Sequence, residues 1–209
     1  MKLFLFGGAE VDLNQAVPEI KMIGELINQL GPEQVLHIPF ARTVATEADW
    51  TGDWFNRNIT LNATEYLNAA NPGDIAKADH PLIFISGGRE HVNLYEKIIA
   101  DPRLLELIRT AEYIIGESAG STVLGEYRRI GNLDQPGGLL KGLDIIKDTV
   151  IVPHYSERNR QEALIRDMEE GGARYGIGID CLTAIVLEPD KFPGEYGKIG
   201  TGLVDVKIT

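Results

Sequence analysis

The chain has 209 residues and a mass of 23.0 kDa, with 44% hydrophobic and 24% charged residues. This is typical of one globular domain, here residues 1–209, and no apolar run approaches the roughly 20 residues of a membrane-spanning helix. The net charge of −11 repels polyanions, so we expect no nucleic-acid partner and no membrane surface. The single cysteine, Cys181, excludes an internal disulfide and fits a cytoplasmic location.

Short apolar runs and helical patterns alternate through the first half of the chain. Residues 2–6 predict a first strand rather than a signal peptide, because the apolar stretch is short and acidic residues follow at once. Further strands are predicted over residues 34–40, 82–86 and 113–116, and helices over residues 18–30, 92–100 and 102–110. The more polar segment 45–70 is predicted to hold two helices, with core anchors at Trp50, Trp54, Phe55 and Tyr66.

The second half continues this alternation more loosely. We predict a strand over residues 149–152, a helix over 157–170, adjoining strands over 175–180 and 183–187, and a hairpin or edge strands over 197–209. Strands that alternate with helices indicate a three-layer α/β/α sandwich with a mainly parallel sheet. Sites in such sheets lie at the carboxyl ends of the strands, where the sequence places Gly87-Gly88, Ser118 and His154.

The strongest motif is GESAG at residues 116–120, which has the form G-x-S-x-G between an apolar strand and a helical segment. A sharp strand-to-helix turn exposes the hydroxyl of Ser118, and the small residues around it relieve the crowding. The amide of Ala119 then faces a developing oxyanion. The alternative is a small-residue turn that only packs a helix on a strand.

A nucleophilic serine needs a base, and His154 is the best candidate because it follows a strand at the same sheet edge as Ser118. Without Ser118 it would be an ordinary loop histidine. His37 lies within an apolar strand and is expected to be a core histidine. His80 is expected in solvent, and His91 is expected at the surface, although its position near a strand end also suits a pocket.

Two further features lie near the predicted edge. Gly87-Gly88 could bring a second amide, that of Gly88, to an oxyanion, or could form an ordinary turn. Arg158 and Arg160 could bind an acidic substrate, or could pair with neighbouring glutamates on a solvated helix. No H-E-x-x-H motif or cysteine pair marks a metal site, and no cofactor is expected.

Three segments resemble, in their order and spacing, the peptidase S51 family, which includes aspartyl dipeptidase (peptidase E) and cyanophycinase: GGREHVNLYEKI, GESAGSTVLG and VPHYSERNR. The resemblance extends roughly over residues 34–188. It implies a class I glutamine-amidotransferase-like, flavodoxin-like fold. It also implies Ser118 as nucleophile, His154 as base and the amides of Gly88 and Ala119 as oxyanion donors. The spacing of the arginines after the histidine matches cyanophycinases better than peptidase E.

One departure from the family concerns the third catalytic residue. Where peptidase E has a glutamate proposed to orient the histidine, this sequence has Cys181, with Asp180 beside it. Another aspartate proposed in the family falls near Asp134, which the residues themselves favour as a turn residue. The third residue is therefore Asp134, Asp180 or none.

These observations together predict a serine peptidase that hydrolyses short peptides, with an acidic residue near the scissile bond, through an acyl-enzyme. A cyanophycinase-like enzyme that releases β-aspartyl-arginine is the first alternative: the arginine spacing favours it, and the small size disfavours it. A catalytically weakened binding or regulatory protein is the second, supported by Cys181. The C-terminal strands are a candidate edge for a homodimer.

Overall fold

A computed structural model describes residues 1–10, 14–42, 53–130 and 138–209. Strands β1 to β12 in these residues are Lys2–Phe6, Gln34–Ile38, Glu65–Asn68, Leu82–Ile85, Tyr113–Glu117, Gly125–Arg129, Leu139–Lys141, Ile146–Pro153, Tyr175–Ile179, Thr183–Leu187, Tyr196–Gly200 and Val204–Ile208. Helices α1 to α7 are Ala16–Leu30, Asp53–Asn58, Pro72–Lys77, His91–Ala100, Pro102–Thr110, Ala119–Thr122 and Gln161–Gly171. None of these helices is both long and apolar enough to span a bilayer.

The larger sheet has the strand order β11-β10-β1-β5-β4-β2-β3. The five strands from β1 to β3 pair in parallel, while β10 and β11 pair antiparallel at one edge. The central strands carry continuous apolar runs such as Leu82–Ile85, because a parallel sheet covered on both faces buries every side chain. The predicted mainly parallel sheet is confirmed.

Alternate residues of the same strands supply two separate hydrophobic cores. Leu3 and Leu5 of β1 belong to one core, and Phe4 and Phe6 belong to the other. Successive side chains of a strand point to opposite faces of a sheet, so each core lies on one face. Helix α1 covers the second core through Ile20, Ile23 and Ile27, whereas α4 and α5 cover the first. This arrangement is the predicted α/β/α sandwich.

A second sheet carries His154, which follows its strand β8. Its strand order is β12-β9-β8-β6-β7. The consecutive strands β9 and β10, predicted as adjoining, belong to different sheets: β9 pairs with β8 and β12, and β10 pairs with β1 and β11. The C-terminal strands β11 and β12 are edge strands of the two sheets rather than a hairpin with each other.

The prediction of two helices over residues 45–70 is wrong in part. Residues 53–58 form the short helix α2, but residues 65–68 form β3 at the sheet edge, paired in parallel with β2. Tertiary pairing overrides the polar local pattern there. Phe55 is buried, Trp54 and Tyr66 pack against the same core, and Trp50 lies outside the described residues.

The helix predicted over residues 157–170 begins later, at Gln161, because residues 155–159 form turns after β8. This difference places Arg158 in a turn and Arg160 at the N-cap of α7. The helix that follows the GESAG motif is a single four-residue turn, Ala119–Thr122.

Candidate active site

Ser118 lies on a tight turn between β5 and α6, as the motif predicts. Its backbone has a positive φ of 51°, with ψ −109°, a conformation that a non-glycine residue adopts only where the surroundings hold it. Its N–H donates to the Phe6 carbonyl at 3.1 Å, which fixes the turn to β1. A Cβ at Gly120 would lie 1.9 Å from the Ile85 carbonyl oxygen, so the motif's second glycine permits close packing of the turn on β4.

His154 follows β8 and meets Ser118 at the same sheet edge. Its Nε2 lies 2.9 Å from the Ser118 Oγ. Its backbone N–H donates to the Gly7 carbonyl at 2.9 Å. Gly8, with φ 98°, leaves room for the pair: a Cβ there would lie 2.7 Å from the His154 Nε2 and 2.9 Å from the Ser118 Cβ. The structure therefore brings together the two residues that the sequence selected for nucleophile and base.

The other ring nitrogen of His154 contacts a carboxylate that the sequence reasoning missed. Glu10, in the loop after β1, places Oε1 2.9 Å from the His154 Nδ1. Arg158 holds the same carboxylate through two hydrogen bonds, from Nε at 2.5 Å and from a terminal nitrogen at 3.0 Å. The available signal was a glutamate just after Gly7-Gly8 at the end of β1, because that strand end lies at the sheet edge where Ser118 was expected.

Burial sets the protonation state of His154. His154 is 6% exposed, and burial, reinforced by the charge of Arg158, lowers its pKa to about 4 against the opposing charge of Glu10. The hydrogen bond from Arg158 lowers the pKa of Glu10 in spite of its partial burial. At neutral pH the imidazole is therefore neutral and can accept a proton, while Glu10 is ionised beside it.

The two backbone amides predicted as oxyanion donors adjoin the turn that carries Ser118. Ala119 begins α6, and the first N–H groups of a helix have no acceptor within the helix. The second predicted donor, Gly88, follows Gly87, where a Cβ would lie 2.8 Å from the Ser118 Cβ. The Glu117 carboxylate accepts the Gly87 N–H at 2.5 Å and so ties this turn to the strand that carries the serine.

The two predicted substrate-binding arginines differ in their contacts. Arg158 is committed to Glu10. Arg160 donates from a terminal nitrogen to the Pro153 carbonyl at 2.7 Å. Burial first, and then the charges of Arg128 and Arg160, lower the pKa of His91 to about 4. His91 is partly buried rather than on the open surface.

The remaining positions are those considered for the third catalytic residue: Asp180, Asp134 and Cys181. Asp180 accepts hydrogen bonds from the N–H groups of Ser156 (2.9 Å) and Leu203 (2.7 Å), so it holds backbone rather than His154. Asp134 lies outside the described residues. Cys181, at the expected glutamate position, is buried with Sγ 3.1 Å from the His154 Nδ1.

The two other histidines lie where the sequence predicts them, His37 in the core and His80 in solvent. His37 is fully buried and hydrogen-bonded at both ring nitrogens, to the Tyr66 hydroxyl at 2.6 Å and the Ser86 hydroxyl at 2.8 Å. His80 is exposed and lies 3.7 Å from the Asp79 carboxylate.

An α/β/α sandwich with a serine on a sharp strand-to-helix turn and a histidine beside it defines an α/β protein with the geometry of a strand-turn-helix elbow. The family model of peptidase family S51 matches residues 3–193, and the chain belongs to that family. This confirms the family resemblance read from the sequence.

Curated relatives include the cyanophycinases of Geminocystis herdmanii, at 32% identity, and Trichormus variabilis, at 30% identity. Each alignment extends over 134 residues and covers 59% of this chain. The match covers 48% and 44% of those two proteins, so this chain spans about half the length of these relatives.

Solved structures show the same fold. A peptidase from an acI-B1 actinobacterium has a TM-score of 0.67 at 21% identity, covering 99% of this chain and 89% of that one. A putative peptidase E protein from Listeria monocytogenes has a TM-score of 0.58 at 20% identity, covering 96% and 98%. At these identities the likeness concerns the fold alone.

Proposed function

We propose that this protein is a serine-type peptidase that hydrolyses short peptides. The observation that carries the proposal is the chain of close polar contacts from the Ser118 Oγ through the His154 imidazole to the Glu10 carboxylate, with separations of 2.9 Å at each step. A hydroxyl is a weak nucleophile until an adjacent base takes its proton, and the base works best when a third group orients it.

In the proposed reaction the Ser118 Oγ attacks the peptide carbonyl while His154 Nε2 takes the hydroxyl proton. The amides of Gly88 and Ala119 hold the oxyanion, and Glu10 stabilises the imidazolium. The protonated Nε2 then gives its proton to the leaving amine, and the C–N bond breaks to leave an ester on Ser118. Water, deprotonated by the same histidine, hydrolyses the ester and restores the serine.

The substrate is proposed to carry an acidic residue near the scissile bond. With a net charge of −11, the protein opposes an anionic ligand at long range, so recognition must come from short charge-assisted hydrogen bonds. Arg160 is the better of the two predicted candidates, because Arg158 already binds Glu10.

Cyanophycinase-like release of β-aspartyl-arginine is the second candidate. The curated relatives at 30–32% identity favour it, and an acidic protein attracts the arginine side chains of such a substrate. The third candidate, a catalytically weakened binding or regulatory protein, rested on Cys181. The carboxylate of Glu10 beside His154 weakens that argument, since an orienting group is present from another loop.

The deciding experiment is labelling with a serine-reactive phosphonate, followed by intact mass and peptide mapping. We expect one adduct per chain, on Ser118, and none in Ser118→Ala. Ser156→Ala is the matched control, because Ser156 is an exposed serine near the site and its loss should leave the adduct in place. Failure of the wild type to label, or labelling of Ser118→Ala, would contradict the proposal.

A substrate comparison then separates the two hydrolase candidates. The dipeptide Asp-Leu and insoluble cyanophycin are offered to the same preparation, and product amines are measured for both. Faster turnover of Asp-Leu supports the short-peptide assignment. Release of β-aspartyl-arginine with no turnover of Asp-Leu would replace it with the second candidate.

A further inference from the structure

Three side chains on the Nδ1 side of His154 combine the donor atoms that zinc prefers. Glu10, His154 and Cys181 offer a carboxylate oxygen, an imidazole nitrogen and a thiol sulfur, all within 4.8 Å of one another. They come from the loops after β1, β8 and β9. We propose that they form an inhibitory binding site for Zn²⁺ that switches off the base of the proposed peptidase.

The spacing of the donors fits a tetrahedral zinc ion after a small adjustment. The His154 Nδ1 lies 2.9 Å from the Glu10 Oε1 and 3.1 Å from the Cys181 Sγ. In a tetrahedral site with ordinary zinc bond lengths, neighbouring ligand atoms lie about 3.4–3.6 Å apart. The two contacts to Nδ1 therefore need to lengthen by about 0.5 Å. The Glu10 oxygen and the Cys181 sulfur, which lie within 4.8 Å of each other, adjust to the same spacing, and water completes the fourth position.

The charges around the thiol favour a cation. Burial raises the pKa of the Cys181 thiol, and the carboxylates of Glu157, Glu10 and Glu19 raise it further. These same carboxylates attract a divalent cation, and a coordinated thiol loses its proton to the solvent. The guanidinium of Arg158, which pairs with Glu10, lowers the pKa of the thiol and repels a cation, so it opposes both the raised pKa and the attraction of the metal ion. A thiolate with an imidazole selects zinc over Mg²⁺, which takes oxygen ligands.

Zinc at Nδ1 would disable the base by fixing its tautomer. A neutral imidazole that gives its Nδ1 lone pair to the metal carries its one proton on Nε2. The Nδ1 proton thus moves to Nε2, the thiol proton leaves to solvent, and Glu10 becomes a ligand instead of a hydrogen-bond acceptor. Nε2 can then no longer accept the Ser118 proton at 2.9 Å, so the metal-bound protein is inactive until a chelator removes the ion.

Metal binding is tested first without any assay of activity. Co²⁺, a spectroscopic substitute for zinc, is titrated into the reduced 209-residue chain, and the thiolate-to-cobalt charge-transfer band is recorded and then displaced by ZnCl2. We expect one ion per chain. Cys181→Ser should lose the band and bind zinc at least about a hundredfold more weakly, since even an outer-shell partner contributes 10–100-fold in affinity.

The matched control is His80→Ala, which removes an exposed histidine next to a carboxylate, Asp79, far in sequence from the three ligands. It should leave the band and the zinc affinity unchanged. Absence of the band in the wild type, or equal zinc binding in the wild type and Cys181→Ser, would overturn the site.

The switch is tested by the rate of phosphonate labelling of Ser118 with ZnCl2, with MgCl2 and after EDTA. This part rests on the proposed function. We expect zinc to slow labelling at least about tenfold, which corresponds to roughly 1.4 kcal/mol, with recovery in EDTA and no effect of magnesium. In Cys181→Ser the ratio of rates with and without zinc should approach one. Unchanged labelling of a zinc-loaded wild type would refute the switch, whereas no labelling in EDTA would refute the proposed function and leave the cobalt result standing.

Discussion

The Glu10 carboxylate lies 2.9 Å from the Nδ1 of His154, on the opposite ring nitrogen from the one that contacts Ser118. Glu10 is held there by Arg158, which is a neighbour of the histidine in sequence, while Glu10 itself is 144 residues away. Cys181, at the position where the family resemblance places a glutamate, reaches the same nitrogen with its sulfur. The carboxylate beside the base thus comes from the first loop of the chain.

Glu10→Gln should lower kcat by about 100- to 10,000-fold with little change in KM. The amide can still accept a hydrogen bond, but it cannot stabilise the imidazolium that forms when Ser118 loses its proton. Kinetics on one dipeptide, with melting temperature as a check on folding, measure the effect. Glu10→Asp should restore part of the rate.

Glu25→Gln is the control for that substitution, since Glu25 is an exposed carboxylate on α1 that pairs with Lys21. It should change neither constant. Equal kcat in Glu10→Gln and Glu25→Gln would show that Glu10 has no part in turnover.

Ser118→Ala should lower kcat at least about a thousandfold while leaving the fold intact. The members of a catalytic unit act together, so losing the nucleophile removes most of the rate enhancement, and one hydroxyl on a turn contributes little to packing. Activity and circular dichroism are measured on the same preparation. Full activity in this variant would end the serine-peptidase assignment.

His154→Ala and His37→Ala should fail in different ways. His154→Ala should lose activity as Ser118→Ala does. His37→Ala should destabilise the protein by about 3 kcal/mol, because it leaves a buried cavity and breaks two hydrogen bonds. It also removes the stacking of the His37 ring on Phe84, whose ring centroids lie 4.8 Å apart. Thermal unfolding and turnover are compared for both. Loss of turnover at an unchanged melting temperature in His37→Ala, with activity kept in His154→Ala, would mean that the wrong base was chosen.

Arg158→Ala and Arg160→Ala should differ in how they affect an aspartyl peptide and a matched alanyl peptide. Arg158 acts through Glu10, so its loss should lower kcat/KM for both peptides alike. If Arg160 binds the acidic group, its loss should cost the aspartyl peptide about ten- to a hundredfold, the equivalent of one charged hydrogen bond, and the alanyl peptide much less.

Arg109→Ala supplies the background for these arginine variants, because Arg109 is exposed in the last turn of α5. It should leave both peptides unaffected. Equal losses for the two peptides in Arg160→Ala, or no loss, would remove the physical support for an acidic substrate.

Acid should destabilise the protein partly through His37. Burial, aided by the charge of Arg42, lowers the pKa of His37 well below its usual value. An unfolded histidine takes up a proton below about pH 6.5, which the folded His37 refuses, so stability is present above that pH and is lost as the pH falls. If the folded His37 stays neutral throughout, this contribution changes by about 1.4 kcal/mol between pH 7.5 and 5.5.

The comparison is made by urea unfolding of the wild type and His37→Gln at both pH values. The wild type should lose about 1.4 kcal/mol more than the variant over this range. The same loss in both proteins would show that the folded His37 takes up its proton normally.

Much of the fold could be predicted because the sequence signals were local. The apolar run Leu82–Ile85 and the helical spacing of Ile20, Ile23 and Ile27 depend only on neighbouring residues, and they correctly predicted a buried parallel strand and the helix over it. The elbow at Ser118 was equally local, since its small neighbours are required by the turn itself. The strand at Glu65–Asn68 was missed because its edge pairing with β2, rather than its own polar residues, makes it a strand.

The sequence by itself determined the sheet and predicted that Ser118 and His154 meet at one edge of it, because strand ends and turn glycines mark the edge where a parallel sheet gathers its site. Only the tertiary structure decided which side chains contact the Nδ1 of His154. The loops after β1, β8 and β9 converge on the His154 Nδ1, although Glu10 and Cys181 are separated by most of the chain. No periodicity or spacing records such a contact, since it depends on the pairing of β1 with strands that come much later in the sequence.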